Sequence, residues 1–182
     1  HVSTTTTLST QVLRTLRELS YRAVKGLYLT AYTAGNKDSL ARLVKIADET
    51  EINGFVIDVK DSSGRLSYQA DVPLARDLGL LDDRIKDVDP LITTLREHDI
   101  FPIARVVCFQ DTALAKQRPE WAVKSKARGG NWLDNRKAMN LDPYNRQVWE
   151  YLTQVAEDAA RHGFLEIQFD YVRFPTDGPI RD

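Results

Sequence analysis

The sequence predicts an α/β protein of the TIM-type (β/α) barrel class, of which it holds the first four β/α units. Three observations predict this. Strand-like apolar runs alternate with helix-like patterns four times over. Each run is apolar on one face, while its other face carries polar side chains toward the carboxyl end. No glycine-rich phosphate loop follows the first run, where TAYTAGNKD contains only Gly35, so the dinucleotide-binding form of the open sheet loses its main support. An open sheet covered by helices on both sides needs two apolar faces, and the one-sided polarity favours the barrel. A whole barrel takes about 250 residues in eight units. The 182 residues here are therefore expected to hold the N-terminal half of a truncated barrel domain over 11–182, behind a Thr-rich tail or linker at 1–10.

Ser3 to Thr10 offers little apolar surface to offset the entropy of ordering it, and Gln11 to Arg22 reads as a short helix. The first run, Lys25 to Gly35, predicts a strand over 27–32 with Leu27, Leu29 and Ala31 on one face and Tyr28, Thr30 and Tyr32 on the other. Asn36 can cap the next helix, about Asp38 to Glu51, whose Leu40, Leu43, Val44 and Ala47 recur at helical spacing. In the second run, Phe55, Ile57 and Val59 oppose Val56, Asp58 and Lys60. A long loop leads from it to Asp89-Pro90, a cap residue followed by proline at the first helical position, and a helix to about His98. The third run sets Ala104, Val106 and Cys108 against Ile103, Arg105 and Val107. Asp142-Pro143 predicts the start of the following helix and Gly163 its end. In the fourth, Leu165, Ile167 and Phe169 oppose Glu166, Gln168 and Asp170.

Composition narrows the function classes. The 25 basic residues nearly balance 26 acidic ones, for a net charge of -1, so nothing sequence-wide calls for nucleic acid or an anionic membrane. No run reaches the roughly 18–20 apolar residues of a membrane span, and the opening lacks the basic and apolar regions of a signal peptide. The chain starts at His1 rather than Met, which leaves the compartment open, with an exported or cell-envelope protein as the expectation. Cys108, the single cysteine, sits in an apolar run and is expected to be a buried, inert thiol. No His/Cys/Asp spacing suggests a metal, and no cofactor is expected.

If the polar faces turn inward, Tyr28, Tyr32, Asp58, Lys60, Arg105, Gln168, Asp170 and Arg173 gather at one end of the barrel. Such a group can bind a ligand. It can equally be a self-satisfied network in which Asp58 pairs with Lys60 or Arg105, while Arg105 or Arg173 holds Asp170. Two long loops, Ser62 to Asp87 and Gln110 to Leu141, fall on the same end. The second carries Gly129-Gly130, suited to a hairpin turn, and Trp132, which either stacks on a ligand or anchors the loop. It also carries a basic cluster, Lys124, Lys126 and Arg128, which is either a solvated face or a contact for an acidic polysaccharide.

The run EIQFDYVRFPTDG, Glu166 to Gly178, together with KGLYLTAYTAG, GFVIDVKDSSG, FPIARVVCFQD and NLDPYNRQVWEY, resembles a bacterial family of glycoside-hydrolase-type domains, itself similar to α-amylase-like barrels. The resemblance covers nearly everything from Lys25 onward. It implies a carbohydrate partner and a catalytic carboxylate at the end of strand four, which is Asp170. It also implies an acid/base carboxylate on strand five, which this chain does not contain, so the missing C-terminal half of the barrel would complete the site. The expected function is hydrolysis of a polysaccharide by paired carboxylates. Arg105 would keep Asp170 ionised, and Tyr28, Tyr32, Asp58, Lys60, Gln168, Arg173 and Trp132 would bind substrate. A noncatalytic carbohydrate-binding or cell-envelope barrel and a barrel lyase using Lys60 are the alternatives.

Overall fold

Four apolar runs become four parallel strands because each is rich in β-branched and aromatic side chains on the face that helices cover. The computed structural model describes residues 23–179; the expected Thr-rich tail and the 11–22 helix lie outside the described residues. In chain order the elements are β1 (Gly26–Leu29), α1 (Ala31–Gly35), α2 (Lys37–Glu49), β2 (Gly54–Lys60), α3 (Pro73–Asp77), α4 (Val88–Glu97), β3 (Phe101–Val107), α5 (Thr112–Gln117), a 3-10 turn (Pro119–Trp121), α6 (Arg146–His162) and β4 (Glu166–Asp170). The strands lie side by side in the order β1-β2-β3-β4. This is the order of a singly wound barrel; a doubly wound sheet turns back on itself at a switch point.

Phe55, Ile57, Val59, Ala104 and Val106 are sealed from solvent. They form one core with Val44 of α2, Leu91, Ile92 and Leu95 of α4, and Val148, Leu152 and Val155 of α6. Each buried Val, Leu, Ile or Phe among them contributes about 1.5–3 kcal/mol by leaving water. Opposite them the register aligns Tyr28 with Val56, Val56 with Ile103, and Asp58 with Arg105, which in turn faces Gln168. The expected division of the strands into a helix-facing and an inward face therefore holds through Asp58.

The helix limits shift from expectation for local reasons. β1 stops at Leu29 because Thr30 caps α1, its Oγ1 accepting from the Thr33 N–H at 3.2 Å; Tyr32, expected on the strand, belongs to that helix. Asn36 caps α2 as expected, accepting from Ser39 N–H at 2.9 Å. Asp87 caps α4 in place of Asp89, leaving Pro90 in the first turn. α6 begins at Arg146 behind Asn145, because Asp142 closes an earlier turn by accepting from the Tyr144 N–H at 2.9 Å. Gly163 ends α6 with φ 100°, a left-handed conformation that suits glycine.

Candidate functional site at the carboxyl ends of the strands

One charged network crosses all four strands. The Tyr28 hydroxyl on β1 donates to Asp58 Oδ2 on β2 at 2.5 Å. Arg105 on β3 donates through Nη1 to Asp58 Oδ1 at 2.6 Å and through Nε to Asp170 Oδ2 on β4 at 2.8 Å. Its Nη2 lies 2.7 Å from the same Asp170 oxygen. One planar guanidinium thus holds two carboxylates, a geometry that lysine cannot reproduce. The parallel register puts Asp58 directly beside Arg105 and leaves Asp170 one step closer to the open end, opposite Val107.

The two carboxylates differ in access. Both Asp58 oxygens are engaged and its side chain is only 6% exposed, whereas the Asp170 side chain is 38% exposed. Partial burial alone would raise the Asp170 carboxyl, but the hydrogen bonds from Arg105 and the Tyr171 N–H, with the charges of Arg105 and Arg173, hold it below the usual carboxylate range. Asp170 is therefore an ionised, reachable carboxylate. Burial of its hydroxyl end and donation to Asp58 push Tyr28 up to about 12, so it remains a neutral donor. The Arg105 guanidinium is pushed further up, because hydrogen bonds to both carboxylates outweigh the cost of its burial.

The chain turns sharply after Asp170. Tyr171 adopts φ 54°, an uncommon conformation for an aromatic residue, and this turn brings its N–H back to Asp170 Oδ1 at 2.7 Å. Arg105 and Tyr171 thus fix one carboxylate oxygen each. Arg173 follows in the same turn, its guanidinium 5.4 Å from the Tyr171 ring centre and its Nη1 donating to Thr176 Oγ1 at 2.6 Å. Arg105, Asp170, Tyr171 and Arg173 all border one open depression. Gln168 is exposed beside Arg105 on the same face.

Three expected ligand contacts lie elsewhere. The register slips between Asp58 and Lys60, so that Lys60 pairs with Val106. Such a bulge reverses the alternation of the strand. The Lys60 side chain is consequently sealed, donating to the Val107 carbonyl at 2.7 Å and lying 2.9 Å from Asp111 Oδ2. It presents no surface to a carbonyl substrate, which removes the structural motive for the lysine-based lyase. Tyr32 is 69% exposed and packs instead with Arg84, 5.5 Å from its ring centre; Arg84 also pairs with Asp61. Trp132 is 4% exposed and its Nε1 donates to the Pro179 carbonyl at 3.3 Å, which makes it a loop anchor.

Sequence reading missed Asp111, whose Oδ1 caps α5 by accepting from Leu114 N–H at 2.8 Å; the Asp-Thr pair ahead of an apolar helical run was its signal. It also missed Tyr144 and Phe174, exposed rings 5.6 Å apart near the turn after β4. Their spacing in the sequence carries no sign of that contact. Cys108 is buried, and burial pushes its thiol up to about 11, as an inert cysteine requires. No group of three or more potential metal ligands occurs among the described residues, and no described helix is long and apolar enough to cross a membrane.

Comparison with known proteins agrees with the fold. Residues 26–182 match the family described as "Putative glycosyl hydrolase domain". The crystal structure of a hypothetical protein from Ruminiclostridium thermocellum is 43% identical, with a TM-score of 0.80 over 82% of this chain and 78% of that one. The alpha-galactosidase from Lactobacillus brevis superposes with a TM-score of 0.61 at 18% identity, over 87% of this chain and 21% of the enzyme. Alpha-L-fucosidase isoenzyme 2 from Paenibacillus thiaminolyticus gives 0.63 at 12% identity, over 86% of this chain and 24% of the enzyme. At such identities the two enzymes share the fold, and this chain spans about a quarter or less of their length. No curated protein sequence matches the chain.

Proposed function

The chain belongs to the family described as "Putative glycosyl hydrolase domain", and from that membership we propose that it contributes the anionic half of a carboxylate-based cleavage of a polysaccharide. Asp170 is the group that attacks the anomeric carbon or stabilises the positive charge developing there. The observation that supports this most directly is the Asp170 carboxylate itself, 38% exposed and bound to Arg105 at the carboxyl end of β4, where barrel enzymes carry their chemistry. Asp58 has both oxygens occupied by Tyr28 and Arg105, so its part is to orient Arg105. The proton donor for the leaving oxygen is then a second carboxyl, expected from a fifth strand.

Replacement of Asp170 by Asn in the full-length protein, with the fifth strand present, keeps the shape and removes the charge. The expected outcome is a loss of at least about 10³-fold in reducing-end release from a panel of polysaccharides, with circular dichroism unchanged. Full turnover in Asp170→Asn removes this residue from the mechanism. A folded wild type that binds glycans but cleaves none assigns the barrel to carbohydrate binding.

A further inference from the structure

The loop between β3 and α6 is a built lobe. Antiparallel bridges join Ala122 to Leu141, Lys124 to Asn131 and Leu133 to Met139. Trp121 and Leu141 root it in the main hydrophobic core, and Trp132 is buried as well. Its tip turns at Gly129 and Gly130, with φ 70° and 71°. The lobe therefore presents its outer side chains on a held framework, unlike a solvated tail.

Those outer side chains are cationic. Between 116 and 137 the sequence has seven Lys and Arg but only Glu120 and Asp134 as acids, in a chain whose net charge is -1. Asp134 does little to offset them, because it is 9% exposed and its Oδ1 accepts from the N–H groups of Arg136 and Ala138 at 2.8 and 2.7 Å. Among the described residues Lys116, Lys126, Arg136 and Lys137 are exposed and in no ion pair. The lobe also touches the turn that follows Asp170. Asn135 N–H donates to the Asp177 carbonyl at 2.8 Å, and Asp134 shares a narrow cleft with Tyr171 and Arg173.

We propose that this lobe is a docking surface for an acidic polysaccharide, whose carboxylate or sulfate groups sit on Lys126, Arg136 and their neighbours while the chain runs past Arg173 to Asp170. The inference rests on the glycosidase reading of Asp170 and adds the substrate class. An acidic glycan fits better than nucleic acid because this locally cationic lobe, with seven Lys and Arg against two acids, adjoins the turn after Asp170, while the chain as a whole is slightly anionic.

Affinity electrophoresis of the full chain tests this in gels containing polygalacturonate, dextran sulfate or neutral dextran. The expected result is retardation by an anionic glycan, absent with neutral dextran and decreasing as salt rises. Lys126→Gln with Arg136→Gln, both outside the Asp170 network, should weaken it about tenfold with unchanged circular dichroism. Preference for polygalacturonate assigns carboxylates and preference for dextran sulfate assigns sulfates. Equal retardation by neutral dextran, an unaffected double variant, or equally tight binding of duplex DNA overturns the proposal. The two readings fail separately: cleavage of neutral glycans without anionic binding overturns only the lobe, and anionic binding that survives in Asp170→Asn without cleavage by the wild type overturns only the hydrolase.

Discussion

Arg105 is the residue on which the candidate site depends, because its single side chain sets the charge and direction of Asp170 while holding Asp58. The sign of its effect on acid behaviour follows. A carboxyl held below its ordinary 3.8 is favoured in its ionised form when folded, so its contribution is present above the unfolded value and lost as pH falls through the lower folded one. With the Asp170 side chain 38% exposed, solvent screening leaves little of this in stability, and the pH dependence of turnover is the better readout. Arg105→Met should move the acidic limb of the pH-rate profile upward, and Arg105→Lys should not restore both its position and the rate, since an ammonium cannot span the two carboxylates. An acidic limb unchanged in Arg105→Met would show that Asp170 does not need this partner.

At the scale of elements, the turn after β2 is tied to the loop after β3 by one close approach. Gly64 has φ 90°, and a Cβ there would lie 1.8 Å from Asp111 Oδ1, on the residue that both caps α5 and faces Lys60. Gly64→Ala should cost about 1–3 kcal/mol, read as a lower denaturation midpoint in guanidinium, by pushing Asp111 off the buried amine. The four strands and their polar faces were legible in the sequence because alternation reports which side is buried. Alternation does not report where a strand ends or slips. Tyr28 and Tyr32 have the same parity in LYLTAY, yet a hydrogen bond from one backbone N–H to Thr30 turns the second into a helix. Asp58 and Lys60 also share parity, yet the bulge parts them. Of the lobe, the hairpin turn at Gly129-Gly130 was legible, whereas the bridge from Ala122 to Leu141 joins positions too far apart for a local pattern.

At the scale of the whole molecule, the sheet has β1 and β4 at its edges. Phe169 on β4 and Leu165 just before it are 49% and 41% exposed, and among the described residues no strand pairs with the outer edge of β4; a strand edge beside apolar side chains is an association surface. Light scattering on the 182-residue chain should show concentration-dependent association, reduced by Phe169→Gln; a monodisperse monomer at all concentrations would refute it. The network that crosses the strands also bears on how such a barrel can be recombined. Asp58 with Arg105 and Lys60 with Asp111 both join the second unit to the third, and Arg105 with Asp170 joins the third to the fourth. A chimaera exchanged at a single β/α boundary inherits half of an ion pair and strands a charge, even when its backbone fits. The smallest portable block is units two to four together, so a graft or a gene-shuffling crossover should be cut by charge partnership and not by secondary structure.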